Sequence, residues 1–242
     1  RHAISKLAHI HLVANEQAQK LLLQLGEDPA AIHVIGSPEA DVMASQDLPA
    51  LGEVVTYYEI PSHDFGLVLF HPVTTERSST YDQACELVGA VLETEREHVV
   101  IYPNNDSGSD QILKAYEAFA GNPQIRIVPS MRFEYFLTAL RHCKYIVGNS
   151  SAGIREAPFF GTPSVNLGSR QQGRLRSPSV LDVPLKRTAI VEAMRQAEVR
   201  TREPFPRYGR GSSAEAFRRL LDSEAFWSVS TQKLIQVHGE PK

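Results

Sequence analysis

The chain has 242 residues, 42% of them hydrophobic and 22% charged, with a formal net charge of −3 at pH 7. That is apolar material for one large domain or two smaller ones, and it offers no basic field able to hold a nucleic-acid backbone. No apolar run approaches the roughly 20 residues that span a bilayer and no signal-peptide pattern stands out, so neither nucleic acid nor membrane is expected as a partner and a cytoplasmic location is expected.

In chain order, residues 1–9 read as a helix entering a strand, with an abrupt start that suits the middle of a longer protein. A strand is predicted over 9–13. A helix follows over 16–25, with Leu21, Leu22, Leu23 and Leu25 and a stop at Gly26. Residues 32–35 read as a strand ending in Gly36-Ser37-Pro38, and 49–58 as a short helix before Pro61. The apolar run 66–70 is short enough for a buried strand. Residues 81–95 carry Ala84, Leu87, Val88, Val91 and Leu92 along one helical face. Strands over 99–102, 125–128, 145–147 and 164–167 alternate with helices over 110–119 and 133–142. A further strand over 180–183 and helices over 189–198 and 213–221 complete the series. The last predicted helix, 226–237, is amphipathic and exposed; it hints at a partner surface and leaves a homo-oligomer open.

Alternation of this kind argues for an α/β fold with a largely parallel sheet. Residues 1–45 read as the end of one Rossmann-like domain, 46–62 as a linker, 63–221 as a complete doubly wound domain and 222–242 as a C-terminal helix and tail. Cys85 and Cys143 fit neither a disulfide framework nor a metal site, and both read as buried free thiols. The nine histidines have no metal-ligand spacing, so no metal is expected.

The segment Gly148-Asn149-Ser150-Ser151-Ala152-Gly153-Ile154-Arg155-Glu156 carries the most chemistry. A strand ends in a small polar turn that opens a helix, which Ser150 or Ser151 can cap. First-turn amides and the positive end of a helix suit an anion such as a diphosphate, and Glu156 lies where it could reach a ribose hydroxyl. Alone, such a turn is more often an ordinary cap. Four further strand ends carry polar or Gly/Pro-rich clusters: His71-Pro72, Tyr102 to Ser109, Pro129-Ser130 and Gly168 to Arg174. In doubly wound sheets such ends line one ligand crevice. A basic loop with Arg170 and Arg174 suits a phosphate there.

Several of these segments resemble the hydrolysing UDP-N-acetylglucosamine 2-epimerases. They are Arg1 to His11, Ile35 to Asp41, Phe70-His71-Pro72-Val73-Thr74-Thr75-Glu76, Tyr102 to Ser109, and Gly148 to Gly173. The likeness runs to about Leu221. The non-hydrolysing epimerases look different, with a Gly-His-Arg-Arg-Glu-Asn pattern where this chain has Phe70-His71-Pro72-Val73-Thr74-Thr75. The resemblance implies a GT-B fold with the C-terminal domain holding most of the UDP. It matches His71, Asn104, Val128, Ser150, Ser151, Glu156 and Arg170 to UDP-binding positions, Val128 lying against uracil or hydrogen-bonding it through its backbone. Arg1 matches an arginine near the catalytic centre, and His71 would support the departing UDP.

The implied reaction removes the C2 proton of the sugar, expels UDP from C1 and hydrates the resulting glycal to N-acetylmannosamine. It needs no cofactor. The family's first α/β repeats, with their carboxylates and Gly-rich turn, have no counterpart in this chain, which alone is expected to bind UDP weakly and turn over little. Three other readings are weighed: the same reaction on a UDP-2,4-diacetamido sugar, a GT-B glycosyltransferase, and a non-catalytic UDP-sugar-binding module.

Overall fold

The computed structural model describes residues 2–174, 176–230 and 232. Arg1 lies outside them, as does half of the predicted helix over 226–237. The chain forms two compact units, the smaller from residues up to Gln46 together with those from Pro206 on, the larger from Asp47–Phe205.

The smaller unit opens with α1 (His2–Leu7), β1 (His11–Val13), α2 (Glu16–Gln24), β2 (Ile32–Val34) and α3 (Pro38–Ala44). β1 and β2 pair in parallel, His11 opposite Ile32. Asn15 caps α2, its side chain accepting the Ala18 N–H at 2.9 Å. α3 was not anticipated from sequence. Pro38 sits in its first turn, where its fixed φ suits helix entry and its missing N–H leaves no bond unmade, and Glu39 and Asp41 complement the helix dipole.

The larger unit contains α4 (Leu51–Tyr58), β3 (Gly66–Leu69), α5 (Thr80–Glu93), β4 (His98–Ile101), α6 (Ser109–Tyr116), β5 (Ile125–Val128), α7 (Phe133–His142), β6 (Ile146–Gly148), α8 (Ala152–Arg155), β7 (Ser164–Leu167), β8 (Val180–Val183) and α9 (Arg187–Glu198). Its strands form one parallel sheet in the order β5-β4-β3-β6-β7-β8. Side chains alternate between two cores. Val68, Val100, Val147 and Val165 join the α5, α6 and α9 side, while Leu67, Val99, Ile101 and Ile146 join the α4 and α7 side. Both faces are covered, which is why the strands read as unbroken apolar runs.

Two allotments differ from the sequence reading. The stretch read as a linker contains α4, which belongs to the larger unit. Val54 is fully buried there, Tyr58 Oη accepts the Arg132 N–H at 2.9 Å, and Thr138 Oγ1 donates to the Pro49 carbonyl at 2.8 Å. The helix α10 (Ser213–Leu221), read as the end of the second domain, packs in the smaller unit. There Asp41 Oδ1 accepts the Ser213 N–H at 2.8 Å, and its Oδ2 accepts the Ser213 hydroxyl at 2.9 Å and the Ala214 N–H at 2.8 Å. The helix α11 (Glu224–Trp227) ends at Trp227, and residues 228–230 are not helical.

Cys85 also differs. It is exposed, because the buried stripe of α5 runs through Ala84, Leu87, Val88 and Val91 and turns Cys85 to solvent. Cys143 is buried as expected.

Candidate functional site

From β3 the chain adds β4 and β5 on one side and then returns to add β6, β7 and β8 on the other, so the strand order reverses between β3 and β6. Parallel sheets bind ligands outside the carboxyl ends of the strands at such a switch point. β3 delivers His71 to that edge, β6 delivers Asn149, Ser150 and Ser151, β4 delivers Asn104, and β7 delivers Arg170 and Gln171.

The β3–β6 ladder ends at the pair Leu69 and Gly148. Gly148 has φ +140, and a Cβ there would lie 2.1 Å from the Leu69 carbonyl oxygen, so only glycine fits. The next residue, Asn149, is 1% exposed, and its side-chain amide takes over where the ladder stops. Its Oδ1 accepts the His71 N–H at 2.8 Å and its Nδ2 donates to the His71 carbonyl at 2.8 Å.

The His71 ring is fixed from the β4 side, where the Asn104 backbone N–H donates to Nδ1 at 3.0 Å. A backbone N–H can only donate, so Nδ1 carries a lone pair and the neutral ring holds its proton on Nε2. Burial, reinforced by the Arg170 charge and opposed by Asp106, lowers the His71 pKa to about 4. His71 at neutral pH is therefore an uncharged donor rather than a cation.

The Asn149 carbonyl receives two donors from the loop after β7: Gln171 Nε2 at 2.8 Å and Arg170 Nη1 at 3.2 Å. Burial depresses the Arg170 pKa, partly offset by Asp106 and reinforced by Arg174. The same loop is tied to the segment after β3 through Glu76, which accepts from the Ser169 hydroxyl and, at 2.8 Å, from Gln83 Nε2. Those bonds hold the Glu76 carboxyl below the usual range, Ser169 contributing most.

The serines divide their work. Ser150 Oγ accepts the Ala152 N–H at 3.3 Å, whereas Ser151 stands at the cap position and makes no side-chain capping bond. The helix they open, α8, has only four residues before a 3-10 turn, so its dipole is weaker than a long helix would give. Hydroxyls and local amides, more than a macrodipole, would meet an anion here. Glu156, half-buried, closes α8 and precedes that 3-10 turn.

The structure adds detail at two of these residues. Val128 closes β5, but its side chain is 3% exposed and packed in the α4/α7 core, and its carbonyl accepts the Tyr102 N–H at 3.1 Å. It offers a ligand backbone only. Asn104 has its Nδ2 on Asp106 at 2.5 Å, while its Oδ1 is buried without a hydrogen-bond partner.

Asn149, Gln171 and Glu76 were not singled out from sequence. The available signal was weak: amide side chains one residue past a strand end and within the Gly168–Arg174 loop. A neighbouring hollow of about 540 Å³, lined in part by Glu76, Ser169, Gln172 and Asp182, contains none of the residues matched to UDP. Among the described residues, no group of three or more His, Cys, Asp or Glu could hold a metal ion, and no helix is long and apolar enough to cross a membrane.

Residues 1–222 match the sequence model of the family described as UDP-N-acetylglucosamine 2-epimerase. The chain belongs to the UDP-N-acetylglucosamine 2-epimerase family. It is 44% identical over 237 residues to a UDP-N-acetylglucosamine 2-epimerase of Neisseria meningitidis, covering 96% of this chain and 63% of that protein. It is 32% identical to a UDP-N,N'-diacetylbacillosamine 2-epimerase (hydrolyzing) of Legionella pneumophila, covering 91% of this chain and 59% of that one. Among solved structures, Methanocaldococcus jannaschii UDP-GlcNAc 2-epimerase in complex with UDP-GlcNAc and UDP superposes with a TM-score of 0.71 at 17% identity, over 89% of this chain and 61% of that one. The chain thus spans about three fifths of the length of these relatives, and its fold is α/β and GT-B-like, as the sequence suggested.

Proposed function

We propose that this chain carries the UDP-holding part of a hydrolysing UDP-N-acetylglucosamine 2-epimerase. The observation that supports it most is the convergence of four strand ends on a neutral His71 donor, with Ser150, Ser151 and Arg170 beside it. In this reading Ser150 and Ser151 meet the diphosphate with Arg170, Glu156 holds the ribose, and Asn104 and the Val128 backbone face the base.

The reaction removes the C2 proton of UDP-GlcNAc. The C–H electron pair becomes the C1=C2 bond of a glycal as the C1–O bond to UDP breaks. Water then adds, its hydroxyl to C1 and a proton to the opposite face of C2, giving N-acetylmannosamine and UDP. His71 Nε2–H and Arg170 stabilise charge that builds on the departing diphosphate, and donors fixed before the reaction are worth most there. Arg1 is assigned near the chemistry on resemblance alone, and the acid and base at C2 are assigned to no residue of this chain. The location is proposed to be cytoplasmic.

The hydrolysing outcome draws support from the name of the Legionella relative and from the Phe70 to Thr75 segment. That same relative favours a second reading, a 2,4-diacetamido sugar as substrate. The higher identity to the Neisseria protein favours N-acetylglucosamine. Because the chain spans 63% of that relative, turnover is assigned to the full-length protein, and the 242-residue chain alone is expected to release little or no sugar.

Product analysis on the full-length protein tests the proposal. Equal amounts of free UDP and N-acetylmannosamine from UDP-GlcNAc support it. UDP-N-acetylmannosamine without free UDP would assign the non-hydrolysing reaction, and UDP binding with no product would assign a binding module.

A further inference from the structure

The chain of hydrogen bonds through Asn149 joins four separate segments. The Asn104 N–H holds the His71 ring, the Asn149 side chain grips both backbone groups of His71, and Gln171 with Arg170 grips the Asn149 carbonyl. A side-chain amide has the donor and acceptor of a peptide group. Asn149 therefore extends the β3–β6 ladder one step past Gly148, where the main chains must part to open the crevice. Asn149 and Gln171 are each 1% exposed, so neither presents its surface to a ligand. The two donors on the Asn149 carbonyl are unequal, Gln171 at 2.8 Å and Arg170 at 3.2 Å. Arg170 can leave for an anion and the carbonyl stays satisfied, because Gln171 remains.

We propose that Asn149 and Gln171 are positioning residues: Asn149 aims the His71 Nε2–H into the crevice, and Gln171 frees Arg170 to meet an anion. The aiming of His71 stands on this chain's geometry alone, while the effect on an anion rests on the reading of the crevice as a UDP site.

The test uses the 242-residue chain labelled with 15N-histidine, its His71 signals assigned by comparison with His71→Gln. Asn149→Ala should move His71 from the Nε2–H form to a mixture of tautomers and weaken UDP binding about tenfold. Gln171→Leu keeps the volume, should leave the His71 tautomer unchanged and should weaken UDP binding several-fold. A brace with only a structural role would lower the unfolding midpoint without moving the tautomer. An unchanged His71 tautomer in Asn149→Ala overturns the proposal whatever the affinity. Should that variant not fold, Gln171→Leu with wild-type UDP affinity overturns it as well. A shifted tautomer in a chain whose wild type takes no UDP supports the aiming of His71 and sinks the UDP reading separately.

Discussion

Replacing Gly148 by alanine perturbs the point where fold and site meet. The residue has φ +140, a conformation that costs a side-chain-bearing residue about 1–3 kcal/mol. Its new Cβ would stand 2.1 Å from the Leu69 carbonyl oxygen and 2.7 Å from the Leu69 carbonyl carbon, where ordinary contact begins near 3.4 Å. Backbone cannot rotate away, so β3 and β6 must separate, and overpacking of that kind costs about 1–3 kcal/mol more. The sum, about 2–6 kcal/mol, is a large part of the roughly 5–15 kcal/mol that holds a typical domain folded. Gly153 is the control. A Cβ there would meet the Ser164 hydroxyl at 2.4 Å, a side-chain atom that can turn aside, and its loss should be about 1 kcal/mol. Urea unfolding of the full chain followed by circular dichroism measures both. UDP affinity of any folded Gly148→Ala should fall too, since Asn149 and Ser150 move with the strand end. A Gly148→Ala loss below about 1 kcal/mol, or smaller than that of Gly153→Ala, would refute the close approach of the two strands.

Ser151→Ala should weaken UDP binding by about 1 kcal/mol and barely change stability, because Ser151 makes no capping bond; calorimetry shows this, and an unchanged affinity would remove Ser151 from the site. Burial lowers the pKa values of His71 and His98 from 6.5 to about 4, so between those values the unfolded chain binds more protons than the folded one. Stability should then hold above about pH 6.5 and fall towards pH 4, by up to about 3 kcal/mol for His98 and less for the partly exposed His71. Equal urea midpoints at pH 7 and pH 5 would contradict this. Cys85 is exposed, whereas burial pushes the Cys143 thiol up to about 12. A thiol reagent should titrate one cysteine in the native chain and two in urea; two fast native thiols would contradict the burial of Cys143.

Strands were legible because a sheet covered on both faces needs continuous apolar runs, as in residues 66–70 and 99–102. The polar strand ends were legible for the converse reason: Gly, Pro and short polar residues cluster where parallel strands stop. Features set by distant contacts were hidden. The two sides of the Asp41–Ser213 bond lie 172 residues apart, so nothing local assigns α10 to the smaller unit. Pro38 after Gly36-Ser37 looks like a break, although the first turn of a helix accepts proline. Asn149 sat inside the segment that drew attention first, yet its partner, His71, is 78 residues away. The serines beside it carry the more familiar chemistry. Val128 was placed at the correct strand end, but which way its side chain points depends on sheet register, which the sequence does not print.

The most direct measurement is a UDP titration of the 15N-labelled chain followed amide by amide. The account predicts saturable shifts centred on His71, Asn104, Asn149 to Ser151 and the loop at Arg170, with the smaller unit little affected. No saturable shift, or shifts gathered at the amino ends of the strands, where His63, His142 and Arg202 line a separate hollow, would contradict the assignment of the switch-point crevice as the UDP site.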